Sequence, residues 1–121
     1  MTVSTDPNKK FRKELNSGIV SMVLLSIMKK AEEPMYGYQI AKNLEGEGNS
    51  VPMMKQGALY PVLRSLAAAE LLDSHVDPSI SGPPRRYYQI TETGINTLKE
   101  WQDIWKVTKT YVDNILGEEN V

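Results

Sequence analysis

The residue spacing near the C-terminus constrains this chain more than any other feature. Leu98, Trp101, Trp105, Thr108, Val112 and Ile115 follow one another at steps of 3, 4, 3, 4 and 3. A helix places such residues along one line, and the alternating step makes a heptad seam over about two and a half repeats. Thr91 or Thr93 caps this helix, which is expected to reach about Leu116, with Gly117 as its stop. Ile104, Val107 and Tyr111 widen the apolar surface sideways. The chain has 121 residues, enough for one domain and too few for two independent cores.

The first half of the chain reads as helices. Asp6-Pro7 makes a helix opening, and Phe11 and Leu15, four residues apart, form a single stripe. Asn16-Ser17-Gly18 is expected to break that helix. The next, about Gly18 to Lys30, is apolar on nearly every side, with Ile19, Val20, Met22, Val23, Leu24, Leu25, Ile27 and Met28. Such a helix must be covered on more than one face, which in so small a chain points to a second subunit. Glu33-Pro34 ends it. A short helix from Tyr36 to about Glu45 sets Tyr36, Ile40 and Leu44 opposite Gln39, Lys42 and Asn43. Gly46 to Ser50 is a loop by composition. A third helix from about Gln56 to Ala69 puts Leu59, Val62, Leu63 and Leu66 at core spacing, with Pro61 placed near its start.

The period then changes from helical to alternating. Leu72, Ser74 and Val76 alternate with Asp73 and His75, and Tyr88 and Ile90 alternate with Tyr87 and Gln89, which predicts two short strands. Asp77 to Pro84 between them holds three prolines and is too long for a tight hairpin, so a protruding loop is expected. The predicted architecture is mainly α with a small β-hairpin. It is a winged helix-turn-helix with an N-terminal helix and a long C-terminal dimerisation helix. Residues 1–17 form an N-terminal helical extension, 18–92 the winged helix-turn-helix, and 93–121 the dimerisation helix.

Charge and residue inventory exclude several function classes. Lys and Arg number 14 against 15 Asp and Glu, so the chain is no general polycation, although a local basic face remains open. It has no Cys and one His, which removes disulfides, thiolate sites and imidazole metal clusters and suits a reducing cytoplasm. Lys9, Lys10, Arg12 and Lys13 ahead of the Ile19–Met28 run imitate a signal peptide. That run carries Ser21 and Ser26, is followed by Lys29 and Lys30, and is far shorter than the roughly 20 residues of a membrane span. The reading is a buried helix in a cytoplasmic protein with no membrane association. His75 reads as a solvent-facing strand residue. Glu32, Glu33, Glu45, Glu47, Glu118 and Glu119 read as solvated charges. Nothing assembles a nucleophile, base and oxyanion site, so no catalytic residue, metal or cofactor is expected.

In a winged helix-turn-helix, one helix fits the DNA major groove while the hairpin loop reaches the neighbouring backbone or minor groove. The candidate DNA contacts are Lys55, Gln56, Tyr60 and Arg64 on the third helix, Arg85 and Arg86 at the base of the loop, and Tyr38 and Lys42 on the second helix. Taken singly, Lys55 and Arg64 read as ordinary solvated charges, and Tyr60 as a ring that packs while only its hydroxyl stays wet. The order of helices, hairpin and basic pair favours double-stranded DNA.

Three blocks carry a family resemblance: Tyr36-Gly37-Tyr38-Gln39-Ile40, Gly57 to Leu66 (GALYPVLRSL), and Arg85 to Gly94 (RRYYQITETG). In this order they resemble the PadR family of transcriptional regulators, and the single C-terminal helix is similar to its smaller subfamily. The resemblance implies a homodimeric winged-helix repressor whose last helix pairs the subunits. It also implies that Tyr60 and its neighbours enter or flank the major groove while Arg85 and Arg86 serve the wing. The sequence departs from the family pattern at Ala58, Ala67 and Glu70, where Thr or Ser, an acidic residue and Gly are usual. A β-carbon in a left-handed cap costs roughly 1–2 kcal/mol, so a different ending of the third helix is expected.

Trp101 and Trp105 admit two readings. They are anchors of a closed subunit interface, or they splay the seam and line a slot for a planar aromatic or drug-like effector. The resemblance implies the second for Trp105, which stands eleven residues after Gly94, where small PadR members that bind flat molecules carry a Trp facing its symmetry mate. Phe11, Leu15, Met22 and Leu25 are the candidate remaining walls. The combined expectation is a ligand-responsive homodimeric repressor on an inverted-repeat operator, its recognition helices about 34 Å apart. Its dimer interface runs through Leu98, Trp101, Trp105, Thr108, Val112 and Ile115. The alternative is a winged-helix protein-interaction module without specific DNA binding.

Overall fold

A computed structural model of the chain describes residues 6–45, 54–78 and 82–117. The expected loop at Gly46–Ser50, the tip of the wing loop at Ser79–Ser81, and Glu47, Glu118 and Glu119 lie outside the described residues.

Asp6 caps the first helix, α1 (Pro7–Lys30), its carboxylate accepting from the Asn8 N–H at 3.0 Å. The expected break at Asn16-Ser17-Gly18 is absent, and the helix runs through these residues. Asn, Ser and Gly are weak helix formers rather than stops, and mid-helix Gly costs only about 1 kcal/mol relative to Ala. Propagation from the packed half of α1 offsets that cost, since Val20, Leu24, Leu25 and Met28 are buried. Leu25, expected as a wall of an effector slot, lies fully inside the core instead.

After α1 come a two-residue strand, β1 (Met35–Tyr36), and helix α2 (Gly37–Leu44). Tyr36 is therefore a strand residue and the cap of α2, where the sequence reading had it inside the helix. Its backbone N–H donates to the Gln39 side chain at 3.1 Å, which satisfies a donor the helix cannot use. Helix α3 (Gln56–Ala68) follows. Pro61 sits in its second turn rather than at its start, so the helical bond to the Gly57 carbonyl cannot form.

The third helix ends as a glycine-terminated helix would, against expectation. Glu70 adopts a left-handed φ of 65°. The Leu71 N–H donates to the Leu66 carbonyl at 2.9 Å and the Glu70 N–H to the Ala67 carbonyl at 2.9 Å. This is a complete Schellman pair. The two bonds, and the burial of Leu71 just beyond them, hold a non-glycine residue in that conformation.

The strands are β2 (Leu72–Asp77) and β3 (Arg85–Ile90), each slightly longer than the alternation indicated. The antiparallel sheet has the order β1-β3-β2, so the hairpin gains a third strand. Two residues of β1 pair Met35 with Tyr88 and Tyr36 with Tyr87; so short a strand gives too few residues for an alternating pattern. Thr91 caps the last helix, α4 (Glu92–Leu116), and Gly117 ends it at a φ of 75°. The core collects Leu24 and Leu25 of α1, Ile40 of α2, Leu59 and Leu63 of α3, Leu72 and Tyr88 of the sheet, and Leu98 of α4. No described helix is long and apolar enough to cross a membrane.

Candidate nucleic-acid interface

Helix α3 buries Leu59, Leu63 and Leu66 and turns Gly57, Ala58, Pro61, Arg64, Ser65 and Ala68 outward. No carboxylate pairs with Arg64 among the described residues. Lys55, the residue before the helix, is also exposed. Gln56 opens α3, and its side chain lies outside what is described. Tyr60 is half-buried and packed against the core, with its ring over the α-carbon of Gly37. Its ring thus serves the contact between α2 and α3, the packing role that the sequence left open.

On α2, Tyr38 is exposed and the Lys42 ammonium stands 5.8 Å from its ring centroid. This keeps both side chains on one outer surface of the helix. In the wing, Arg85 and Arg86 part company because successive strand residues point to opposite faces. The Arg85 guanidinium lies 4.3 Å from the centroid of the Tyr36 ring. Arg86 donates to the Ser74 hydroxyl at 3.0 Å. Both arginines are exposed, and each is oriented by a neighbour rather than free to sweep solvent.

Sequence reasoning missed the row that holds Arg85. Tyr36, Tyr87 and His75 occupy matching positions on β1, β3 and β2. Tyr36 meets Tyr87 edge-on at 5.5 Å, and His75 stacks on Tyr87 at 5.6 Å with 13° between the rings. His75 is exposed, as expected, yet its ring is seated. The alternation of each strand placed these residues on one face; the missing signal was the third strand.

The apolar surface of α4 is split by its own fold. Leu98 is buried in its own chain and Trp101 is half-buried against the core, whereas Trp105, Val112 and Ile115 are exposed along with Ile104, Val107, Tyr111 and Leu116. Thr108 is exposed within this surface. Of the candidate effector walls on α1, Met22 is half-buried and packed against the core, while Phe11 and Leu15 are exposed. An open depression beside Trp105 is lined otherwise by Lys99, Gln102, Asp103 and Lys106, none of them from the expected set. Among the described residues no group of three His, Cys, Asp or Glu side chains could hold a metal.

The model of the transcriptional regulator PadR-like family matches residues 24–100. A PadR family transcriptional regulator from Eggerthella lenta is 34% identical, with a TM-score of 0.79, over 95% of this chain and 96% of that one. A PadR-like transcriptional regulator from Bacillus cereus is 29% identical, with a TM-score of 0.68, over 88% of this chain and 99% of that one. A transcriptional regulator from Clostridium thermocellum is 27% identical, with a TM-score of 0.73, over 84% and 96% of the two chains. No curated protein matches this chain.

Proposed function

The chain belongs to the PadR-like family of transcriptional regulators, a family of regulators rather than enzymes. From that premise we propose that it is a homodimeric repressor occupying an inverted-repeat DNA operator. The observation that carries this reading is the outward strip of α3. It has no acidic side chain, carries an exposed Arg64 that no carboxylate pairs with among the described residues, and belongs to the helix that a winged helix-turn-helix inserts into the major groove. Arg85 and Arg86 supply phosphate contacts from the wing, and Lys55, Tyr38 and Lys42 supply backbone contacts around the helix.

The exposed apolar side of α4 supports the dimeric part of this reading. Ile104, Val107, Tyr111 and Ile115 are each more than half exposed, a contiguous apolar surface that a lone chain leaves in water. On α1, Phe11, Leu15, Gly18 and Met22 follow at steps of 4, 3 and 4, a second seam that is exposed at Phe11, Leu15 and Gly18 and meets the core at Met22. In functional terms residues 1–17 act as an extension, 18–92 as a DNA-binding body and 93–121 as a pairing helix, with the first boundary falling inside the continuous α1. Trp101 and Trp105, with Phe11, Leu15 and Met22, form the proposed site for a planar aromatic effector between subunits. A ligand there changes DNA affinity only insofar as it favours one relative tilt of the two bodies.

The test is an anisotropy titration of the full chain against duplex DNA from its own upstream region, paired with sedimentation. Dimers that bind with a steep salt dependence, weakened by Arg64→Ala and Arg85→Ala, are expected. Absence of sequence-selective binding would favour the protein-interaction module instead.

A further inference from the structure

The outward strip of α3 is smooth. Ala58 and Pro61 stand in its first two turns, flanked by Gly57, with Ser65 and Ala68 further along, and the guanidinium of Arg64 is the one charged group among them. Adenine and cytosine are read in the major groove by side-chain amides or carboxylates, and guanine by Arg or Lys. Past Gln56, whose side chain lies outside what is described, this strip carries no amide and no carboxylate, and Ser65, a hydroxyl that pairs with any base, stands only in its third turn. Thymine is the base whose major-groove mark is a methyl group, matched by apolar contact with small side chains.

We infer that Ala58 and Pro61 are specificity-determining residues that read thymine through its 5-methyl group. The inference rests on the DNA-binding reading and deepens it by naming what the recognition helix selects. Two further features of the strip agree. Gly57, Ala58 and Pro61, the described outward residues of its first two turns, carry nothing longer than a prolyl ring, which lets the helix backbone approach the base edges closely there. Pro61 faces outward, so its ring methylenes are presented to the groove while its missing N–H removes a donor from the helix interior rather than from the reading surface. Arg64, one turn further, is left for a guanine or a phosphate. Each operator half-site therefore contains thymines whose methyl groups matter individually, next to a single guanidinium contact.

The experiment begins with selection of duplexes by the full chain from a randomised pool. Each half-site thymine of the selected duplex is then replaced by uracil, which deletes only the methyl group. Affinity is expected to fall about fourfold for each contacted methyl, from the transfer of one buried carbon group. In Ala58→Gly the thymine and uracil duplexes should become equivalent at one position per half-site, with helical content checked by circular dichroism. Selective binding with equal affinity for thymine and uracil duplexes, or a selected half-site without thymine, overturns the inference and leaves the DNA-binding reading standing. A pool that yields no selected sequence overturns both.

Discussion

The ring of Tyr60 lies across Gly37, so close that a β-carbon at residue 37 would stand 2.5 Å from its Cε1 and 2.7 Å from its hydroxyl oxygen. This contact fixes how the start of α2 meets α3, and hence the angle at which the outward strip is presented. Gly37→Ala must displace either the ring or the helix, a form of overpacking that costs typically 1–3 kcal/mol. The unfolding midpoint in urea should fall accordingly. Adding Tyr60→Leu, which removes the obstructing ring, should recover part of the loss; a double variant as unstable as the sum of both changes would show that the two positions do not communicate.

Glu70 holds a left-handed conformation that glycine adopts without strain. The Schellman bonds are made by backbone groups, so Glu70→Gly keeps them and relieves the β-carbon. Stability should rise by about 1 kcal/mol, the strain released less the added freedom of glycine in the unfolded chain. A lowered melting temperature for Glu70→Gly would contradict this account.

One hydroxyl ties the end of α3 to the start of α4. Thr91 Oγ1 accepts from the Gly94 N–H at 2.9 Å and donates to the Glu70 carbonyl at 2.8 Å. Gly94 has its own constraint, because a β-carbon there would collide with the Leu71 carbonyl. Thr91→Ala removes a cap and a tether together and should cost about 1–2 kcal/mol, while Thr91→Ser should stay close to wild type. Equal destabilisation by both variants, read by thermal unfolding, would assign the effect to the lost methyl group instead.

Most of the helical architecture was legible in the sequence because periodicity and caps are local signals. The Asp6 cap and the Gly117 stop follow from residue type, and the buried faces of Leu59, Leu63 and Leu66 from spacing, whereas the sequence offered both Thr91 and Thr93 as caps and the fold uses Thr91. The misreadings occur where a weak local preference met a stronger tertiary term. Asn16-Ser17-Gly18 reads as a break, yet the packed half of the same helix carries it through; Glu70 reads as a poor cap, yet two backbone bonds hold it there. The pairing of Met35 and Tyr36 with β3 joins residues some fifty positions apart, a relationship that no local pattern encodes. For the candidate interface, sequence identified the basic residues but not their seats. Arg85 on Tyr36 and Arg86 on Ser74 depend on sheet register, and the contact of Tyr60 with Gly37 depends on how two helices cross.

The exposed side of α4 offers the sharpest test of the subunit arrangement. Ile115 is 69% exposed and Leu98 is 1% exposed, so the two ends of the same seam play different parts. A change at Leu98 damages the chain's own core and would report on folding rather than on pairing. Ile115→Glu instead introduces a charge at a site that a lone chain leaves in water, where surface substitutions change stability by only about ±0.5 kcal/mol. If two copies meet through this surface, the same carboxylate is buried without a partner, twice by symmetry. Dimer dissociation should then strengthen by at least about 100-fold, equivalent to about 2.7 kcal/mol, while the monomer keeps its helical circular dichroism. Thr110→Glu, which adds the same charge at an exposed position on the opposite side of the helix, should leave the association unchanged. Sedimentation equilibrium distinguishes the cases directly: equal association for wild type and Ile115→Glu would place the subunit contact elsewhere and remove the basis for an effector site beside Trp105.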